Sequence, residues 1–566
     1  MEVWRVDVRE RFLSREPVPE SWQHLGGRGL IARILVDEVR ATCDPLGNEN
    51  KLIFAPGLLS GHMVSSCDRI SVGGKSPLTG GIKEANAGGM TSLLMSHLGI
   101  KVLVLENQPS QKGWWILHLS TAGARFDDAN DLSNLGVYET ASRLLKRYGD
   151  KVAIALIGPG GERGYRSAGI ENLDKDRTPS RIAARGGLGA VMGSKGIKAI
   201  VFDASGGQKP PLHDAEAFRK AQKIFTKALM DHPQVQAWAK YGTAGMTRMS
   251  DGFGGIPTRG FSQGKFEGAE KISGEYMREL LLSRGGESDP THACMAGCAI
   301  RCSNVYGGED GKTIVSPLEY ETIGLMGSNL GIDDLDTIAR LNWEANDLGL
   351  DTIEIGATLG VAAQAGLMEF GDGRRALELL AEIRRDTILG RVLAQGAVTA
   401  GRVLGVTRVP AVKGQAMPAY DPRAIKGTGV TYATSPQGAD HTSGLTIRAK
   451  VDHLDPSIQA ALSRTTQINM AGYDTLGACI FAGMGFAAAP ETVRDLLNAR
   501  YGWQVADTIL QDLGRECLSL EREFNRRAGF TAAHDRIPEW MTKEPLPPHN
   551  CVFDVPEEDL DNLFNW

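Results

Sequence analysis

Cys294-Met-Ala-Gly-Cys298-Ala-Ile-Arg-Cys302 gathers three of the chain's eight cysteines into nine residues. On a helix, positions i, i+4 and i+8 lie near one face. Three thiolates on one face can hold three irons of a cubane cluster and leave the fourth ligand to come from elsewhere. Zinc with three or four thiolates is the first competitor, and three buried structural cysteines is the plain alternative. The regular four-residue steps favour a metal over burial. The spacing alone does not choose between iron–sulfur and zinc.

On the N-terminal side of this stretch, residues 1 to about 205 read as β-rich with short helices. Trp4–Val8, Lys51–Ala55, Ile70–Val72, Lys101–Leu105, Val152–Leu156 and Ile197–Val201 carry strand patterns, and Gly29–Val39, Met90–Leu98 and Gly136–Arg147 helical ones. Ser205–Pro211 reads as a linker. Beyond it the chain is mostly helical, with apolar spacing over Asp214–Met230, Leu318–Met326, Asp334–Asp347, Thr352–Ala365, Gly373–Arg384, Leu389–Val403 and Pro490–Leu513. Helix signals lapse near Gly405–Pro418, a second boundary. No internal repeat is visible. The expected class is α+β, with a β-rich platform over 1–208 and helical domains over 209–408 and 409–566.

The chain has 566 residues, 42% of them hydrophobic and 23% charged, which is ordinary globular composition. A net charge of −6 leaves no electrostatic footprint for nucleic acid or an anionic membrane. Eight cysteines cannot be a general disulfide framework at this size. The N-terminal segment lacks the apolar stretch of a signal peptide, and no apolar run is long enough to span a bilayer. The expectation is a cytoplasmic protein.

The chain has 69 glycines, and turns of the first 205 residues carry them close together: Gly26-Gly-Arg-Gly29, Gly73-Gly74, Gly80-Gly81, Gly88-Gly89, Gly158-Pro-Gly-Gly161 and Gly186-Gly-Leu-Gly189. Exposed backbone N–H groups and close approach suit phosphate. Any one such turn is a tight hairpin; six in one domain favour a phosphorylated ligand lying on a sheet. No GxGxxG with an acidic partner follows a first strand, so a Rossmann site is unsupported. Asp474-Thr-Leu-Gly-Ala-Cys479 offers a fourth thiolate far from the triplet. With Asn346-Asp-Leu-Gly-Leu-Asp351 it makes two similar turns, either paired anchors for a pseudo-symmetric ligand or two helix ends capped by glycine. Glu319-Tyr-Glu321 and Gly438-Ala-Asp-His441 supply a carboxylate and an imidazole suited to acid–base work, although a lone Glu or His is more often structural.

Taken together the chain resembles the aldehyde:ferredoxin oxidoreductase family of tungsten bis-pterin enzymes. The resemblance rests on Gly26–Leu30, Asn50–Ala55, Lys75–Gly81, Asn86–Gly89, Ile157–Glu162, Arg185–Lys195, the cysteine triplet, Glu319–Thr322, Asn346–Asp351, Asp421–Arg423, Gly438–His441 and Asp474–Cys479, in family order over nearly the whole chain. It implies a two-sheet platform under two pterins, closed over by two helical domains. It also implies a tungsten (or molybdenum) bis-pterin, one [4Fe–4S] cluster on Cys294, Cys298, Cys302 and Cys479, and a Mg²⁺ bridging the pterin phosphates.

The resemblance further places Arg69 between cluster and pterin. Asn86, Gly88, Gly89, Arg185, Gly186 and Gly187 hold phosphate and Mg²⁺; Asn346, Gly349, Leu350 and Asp351 anchor one pterin, and Asp474 and Gly477 the other. Glu321 and His441 face the metal. The implied reaction is oxidation of a small aldehyde to its acid, or the reverse, with electrons leaving to ferredoxin or an iron–sulfur partner subunit. Aromatic acyl-CoA reduction, and a non-catalytic electron-transfer subunit, are the rival readings. Three features depart from the family pattern. The first cysteine pair is Cys-x3-Cys where Cys-x2-Cys is expected, so one extra residue must bulge. Asn346 stands where an Asp is usual. No His occurs between His292 and His441, so any homo-oligomer is expected to lack a bridging metal site.

Overall fold

The computed structural model describes Met1–Trp566. Its first 203 residues hold twelve strands: β1 Glu2–Asp7, β2 Phe12–Glu16, β3 Leu52–Pro56, β4 Ile70–Lys75, β5 Ile82–Ala87, β6 Ile100–Glu106, β7 Trp115–Ser120, β8 Gly123–Asp128, β9 Ala153–Leu156, β10 Ile170–Leu173, β11 Pro179–Ala183 and β12 Ile197–Asp203. They form two six-stranded sheets, ordered β2-β1-β6-β3-β4-β5 and, from the matching edge, β8-β7-β12-β9-β10-β11. The only parallel pairs are β1 with β6 and β7 with β12. A helix follows each opening hairpin, at Gly27–Glu38 and Val137–Tyr148, and a short helix precedes each closing strand, at Thr91–His97 and Leu188–Ser194. The platform is therefore a topological duplication, which the sequence reading did not detect. Its clearest trace is the Gly-Gly doublet, Gly88-Gly89 and Gly186-Gly187, that opens both short helices.

Alternation along the strands assigns the two faces. Trp4, Phe54 and Leu103 of the first sheet meet Leu117, Ala155 and Phe202 of the second in a shared core. Ile53, Val102 and Val104 face helices Gly27–Glu38, Gln459–Leu476 and Ile509–Arg527. Ile154, Leu156 and Val201 face Val137–Tyr148. Both faces of the central strands are buried, which explains near-continuous apolar runs such as Val102–Leu105.

The remainder is helix-rich. Two expected helices are each broken in two by a glycine with positive φ. Leu389–Val403 divides into Ile388–Ala394 and Ala397–Leu404 at Gly396, and Pro490–Leu513 divides at Gly502 into Glu491–Tyr501 and Ile509–Arg527. Residues 409–566 contribute to two cores. Met417–Ile447 and Ile537–Leu563 pack with the middle of the chain, while Ile468–Phe524 packs on the first sheet.

Helices Leu335–Leu348 and Gln459–Leu476 end on left-handed glycines, Gly349 and Gly477, whose caps satisfy carbonyls of the last turn. Each cap docks on the glycine after a central strand. A Cβ on Gly57, after β3, would lie 2.1 Å from the Gly477 nitrogen; one on Gly158, after β9, would lie 2.7 Å from the Gly349 nitrogen. Backbone hydrogen bonds lock both joints. Leu58 and Leu59 N–H donate to the Thr475 and Leu476 carbonyls at 3.1 and 3.0 Å, and Gly169 N–H donates to the Gly349 carbonyl at 2.9 Å. Gly57→Ala should therefore cost about 1–3 kcal/mol or more by overpacking. Gly252→Ala, whose Cβ meets nothing within 4 Å, should be close to neutral. Urea midpoints of the two apoproteins check the difference; equal midpoints would show that the joint is loose.

Candidate active site

A cavity of about 320 Å³ lies where the platform meets the helical region, and Cys294, Cys302, Cys479, Glu321, His441, Asn86, Asp351 and Asp474 all reach it. The cysteine triplet is not helical. It forms the loop between β13 Asp289–His292 and β14 Ser303–Gly307, with positive φ at Gly297 and Arg301. The reason is local: these residues span a β-hairpin, and Gly297 turns the chain where it packs on Met63. Gly88 lies beneath the loop, where an added Cβ would sit 3.1 Å from the Cys294 sulfur. Cys479 follows the Gly477 cap, and its N–H donates to the Ser66 carbonyl at 2.8 Å. The Cys298 sulfur is 3.4 Å from Ser66 Oγ. A hydrogen bond from the Cys294 thiol pulls Cys298 down to about 5 and raises Cys294 in return; burial raises Cys302 and Cys479. The only His, Cys and acid trio with all ligand atoms within 4.8 Å is Asp174, Asp176 and His292, so no three of the four cysteine sulfurs lie that close together.

Glu321 opens helix Tyr320–Met326, and His441 opens the single turn His441–Ser443. His441 Nε2 lies 3.4 Å from Glu321 Oε1. The other Glu321 oxygen accepts from Ala419 N–H at 2.7 Å, while Oε1 has no hydrogen-bond partner. Burial raises the Glu321 carboxyl against the pull of His441. Glu319 is differently engaged: it accepts from Ser303 Oγ at 2.9 Å and from the Thr243 hydroxyl, with Arg181 at 3.8 Å. The Tyr320 hydroxyl donates to the Ala419 carbonyl at 2.6 Å, so Glu321 and Tyr320 hold the same segment from both sides.

Around this pair the sequence-predicted anchors form two groups. In the first, the Arg69 guanidinium donates to Asn86, Asn86 Nδ2 donates to Asp474 at 3.1 Å, and Asp474 pairs with Arg28, which also grips Glu521 at 2.8 Å. In the second, Arg185 meets Asp351 at 3.2 Å and donates to the Ala439 and Ala416 carbonyls at 2.6 Å each. Asp351 caps the next helix through Ile353 N–H, and Leu350 bridges to Ala168. Asn346 neighbours the Tyr138 hydroxyl without a hydrogen bond to it. The glycines make room for the chain's own atoms: Gly89 for the Leu173 carbonyl, Gly186 for the Lys83 stem and Gly187 for the Arg166 carbonyl. Asp421 and Arg423 close an ion pair on each other at 2.7 Å and do not line the cavity.

Reading the sequence missed Arg28, Lys83, Glu354, Tyr420 and Arg448, single residues with no local pattern to mark them. Several buried polar groups lack partners within the protein. Neither Glu171 oxygen is hydrogen-bonded, nor is the neighbouring Tyr138 hydroxyl, nor Glu84 Oε1 on the opposite half. Burial pushes both Glu171 and Glu84 up to about 8. Buried polar atoms need partners, so both halves of the platform carry unmet hydrogen-bonding capacity, although none of these three side chains lines the cavity.

Residues 3–204 match the family profile described as aldehyde ferredoxin oxidoreductase, N-terminal domain, and residues 220–564 the profile for domains 2 and 3. The tungsten-containing aldehyde ferredoxin oxidoreductase of Thermococcus kodakarensis is 34% identical over 94% of this chain and 89% of that protein. That of Pyrococcus furiosus is 32% identical over the same shares. The aliphatic sulfonate oxidoreductase, WOR-like subunit, of Pyrococcus furiosus is 27% identical over 92% of this chain and 84% of its own. In fold, the BamBC active-site complex of benzoyl coenzyme A reductase superposes with TM-score 0.80 and 18% identity, over 100% of this chain and 93% of that one. No helix is long and apolar enough to cross a membrane.

Arg185→Met should destabilise the apoprotein by about 3–5 kcal/mol, because it strands a buried Asp351 carboxylate and two carbonyls. A lowered urea midpoint checks this, and an unchanged one would mean that water replaces the guanidinium.

Proposed function

The chain belongs to the aldehyde ferredoxin oxidoreductase family, and on that premise we propose that it oxidises small aldehydes to carboxylic acids at a tungsten (or molybdenum) bis-pterin. A [4Fe–4S] cluster, held by Cys294, Cys298, Cys302 and Cys479, would supply the electron transfer to ferredoxin or an iron–sulfur partner subunit, in the cytoplasm. The observation that carries this reading is the Glu321–His441 pair, 3.4 Å apart in the same cavity as Cys294, Cys302 and Cys479. Bound tungsten supplies the two-electron redox step. Asn86 and the Arg185–Gly187 turn hold phosphate and Mg²⁺, and the Gly349 and Gly477 turns each hold one pterin.

The chain's own chemistry is proton handling. Aldehyde plus water gives acid, two protons and two electrons. Glu321 Oε1, buried and without a partner, accepts the first proton as general base. His441 Nε2 donates to the carbonyl oxygen and stabilises the negative charge that develops there. Asp440 lies beside His441 Nδ1 at 3.8 Å and is kept anionic, despite burial, by Lys83 and Arg185.

Glu321→Gln should lower kcat on an aldehyde by about 10²–10⁴ with tungsten and iron content unchanged. A base works only when deprotonated, and burial raises this carboxyl. The acidic limb of the wild-type pH–rate profile should therefore lie above the ordinary carboxylate range and vanish in the variant. A fully active Glu321→Gln beside an inactive Glu319→Gln would move the role to the other carboxylate. Cys479→Ala should reduce iron well below about four atoms per chain; one zinc in place of iron would overturn the cluster assignment.

A further inference from the structure

A second cavity, of about 430 Å³, shares no lining residue with the one that holds Glu321 and His441. Strand β6, the linker before the helical region and the end of helix Glu491–Tyr501 wall it. Two cations line it, Arg500 and Lys101, which are 3% and 7% exposed. Arg500 Nε and Nη1 have no hydrogen-bond partner. Lys101 Nζ has one, the Gln23 carbonyl at 3.2 Å. The guanidinium is not needed to finish its own helix. The Asn498, Ala499 and Arg500 carbonyls already accept from Gly502, Asp214 and His213 N–H at 2.8, 2.7 and 3.0 Å. The acid whose charge acts on Arg500 is Asp68, but its oxygens accept from Gly61 and Met63 N–H at 2.6 and 3.1 Å, and it forms no ion pair with Arg500. Burial first, then Arg500, brings Lys101 down to about 7 and His62 down to about 4. The rest of the wall is largely apolar. Val18, Pro210, Pro211 and Leu212 line it beside Tyr501 and Trp503, whose rings stack at 4.2 Å.

A buried guanidinium with unmet N–H groups is costly unless an anion meets it. We propose that this cavity binds an amphiphilic carboxylate, with its head between Arg500 and Lys101 and its hydrocarbon body against the prolines and Leu212. An arginine takes a carboxylate through parallel N–H···O bonds, and the ammonium beside it supplies a further donor. Two cations set against one acid leave a single surplus positive charge, which matches a monoanion. The apolar wall stabilises a hydrocarbon body by removing it from water. The site is separate from the catalytic cavity, so the proposal does not depend on the reaction proposed above.

The test uses holoenzyme with metal and iron verified, in wild-type, Arg500→Met, Arg500→Lys and Lys101→Met forms. Octanoate, octanol and inorganic phosphate are titrated calorimetrically into each. Wild type should bind octanoate about tenfold to a hundredfold tighter than octanol. Arg500→Met and Lys101→Met should each lose most of that preference while leaving octanol within about threefold, and Arg500→Lys should keep part of it. Lys101→Met, which keeps the length of the side chain, carries the test alone if Arg500→Met does not fold. Octanoate binding that is unchanged in the Met variants would place any acid site elsewhere. Equal weakening of octanoate and octanol would reduce both cations to packing. Phosphate bound more tightly than octanoate, with the same dependence on Arg500, would make this an inorganic-anion site. Each of these three results overturns the proposal, as does wild type that binds octanoate no better than octanol.

Discussion

Two contacts of glycine backbone on glycine backbone decide where everything else lies. Gly477 rests on Gly57 and Gly349 on Gly158, at separations that no side chain permits. Both cap glycines are left-handed, so each helix ends where it touches the sheet, and the next residues are delivered at a fixed angle. Two residues past Gly477 comes Cys479, and two residues past Gly349 comes Asp351. The first reaches the cysteine loop, and the second reaches Arg185 beyond the last strand of its sheet. A displaced helix end would move a cysteine or an acid, and with it the cavity wall.

Buried charge gives these joints their specificity. Arg28, Asp474 and Glu521 form a closed cluster whose members are 5% exposed or less, and Lys83 meets Asp440 at 2.7 Å with equally little exposure. Such pairs add little net stability, because desolvation offsets attraction, but a half-formed pair is strongly penalised. They therefore reject alternative dockings of the helical region on the platform. Lys83 and Arg185 leave Asp440 anionic, and His441 is its immediate neighbour, so one network both positions the domain and sets the charge beside the imidazole.

What could be read from the sequence follows how far each signal reaches. Strand alternation and helix periodicity are local, and they located β1, β3, β6, β12 and most long helices within a few residues. Glycine caps are local too, which is why the Asn346 and Asp474 turns stood out as a pair. The i, i+4, i+8 spacing of the cysteine triplet fits a helical face and also a hairpin loop, and only the flanking strands distinguish them. The duplication of the sheets lies in topology, with almost no shared residues to announce it. Arg28 and Glu521 are 493 residues apart, and no spacing rule joins them. Arg500 is one arginine among many until its lack of a hydrogen-bond partner is visible.

The two halves repeat in backbone and differ in charge. The half that carries Asp474 is ionic: Arg28, Asp474, Glu521 and Arg69 surround its turn, and Cys479 follows it directly. The half that carries Asn346 replaces that aspartate with a neutral amide, flanked by the unpartnered Tyr138 hydroxyl and by Glu171, which burial keeps protonated at neutral pH. Both turns nonetheless sit beside buried ion pairs: Arg28 holds Asp474 on one half, and Arg185 holds Asp351 on the other. The difference lies at the matching position of the cap, a carboxylate at Asp474 against an amide at Asn346, so a ligand lying across the two halves meets a charged group at one end and a neutral one at the other.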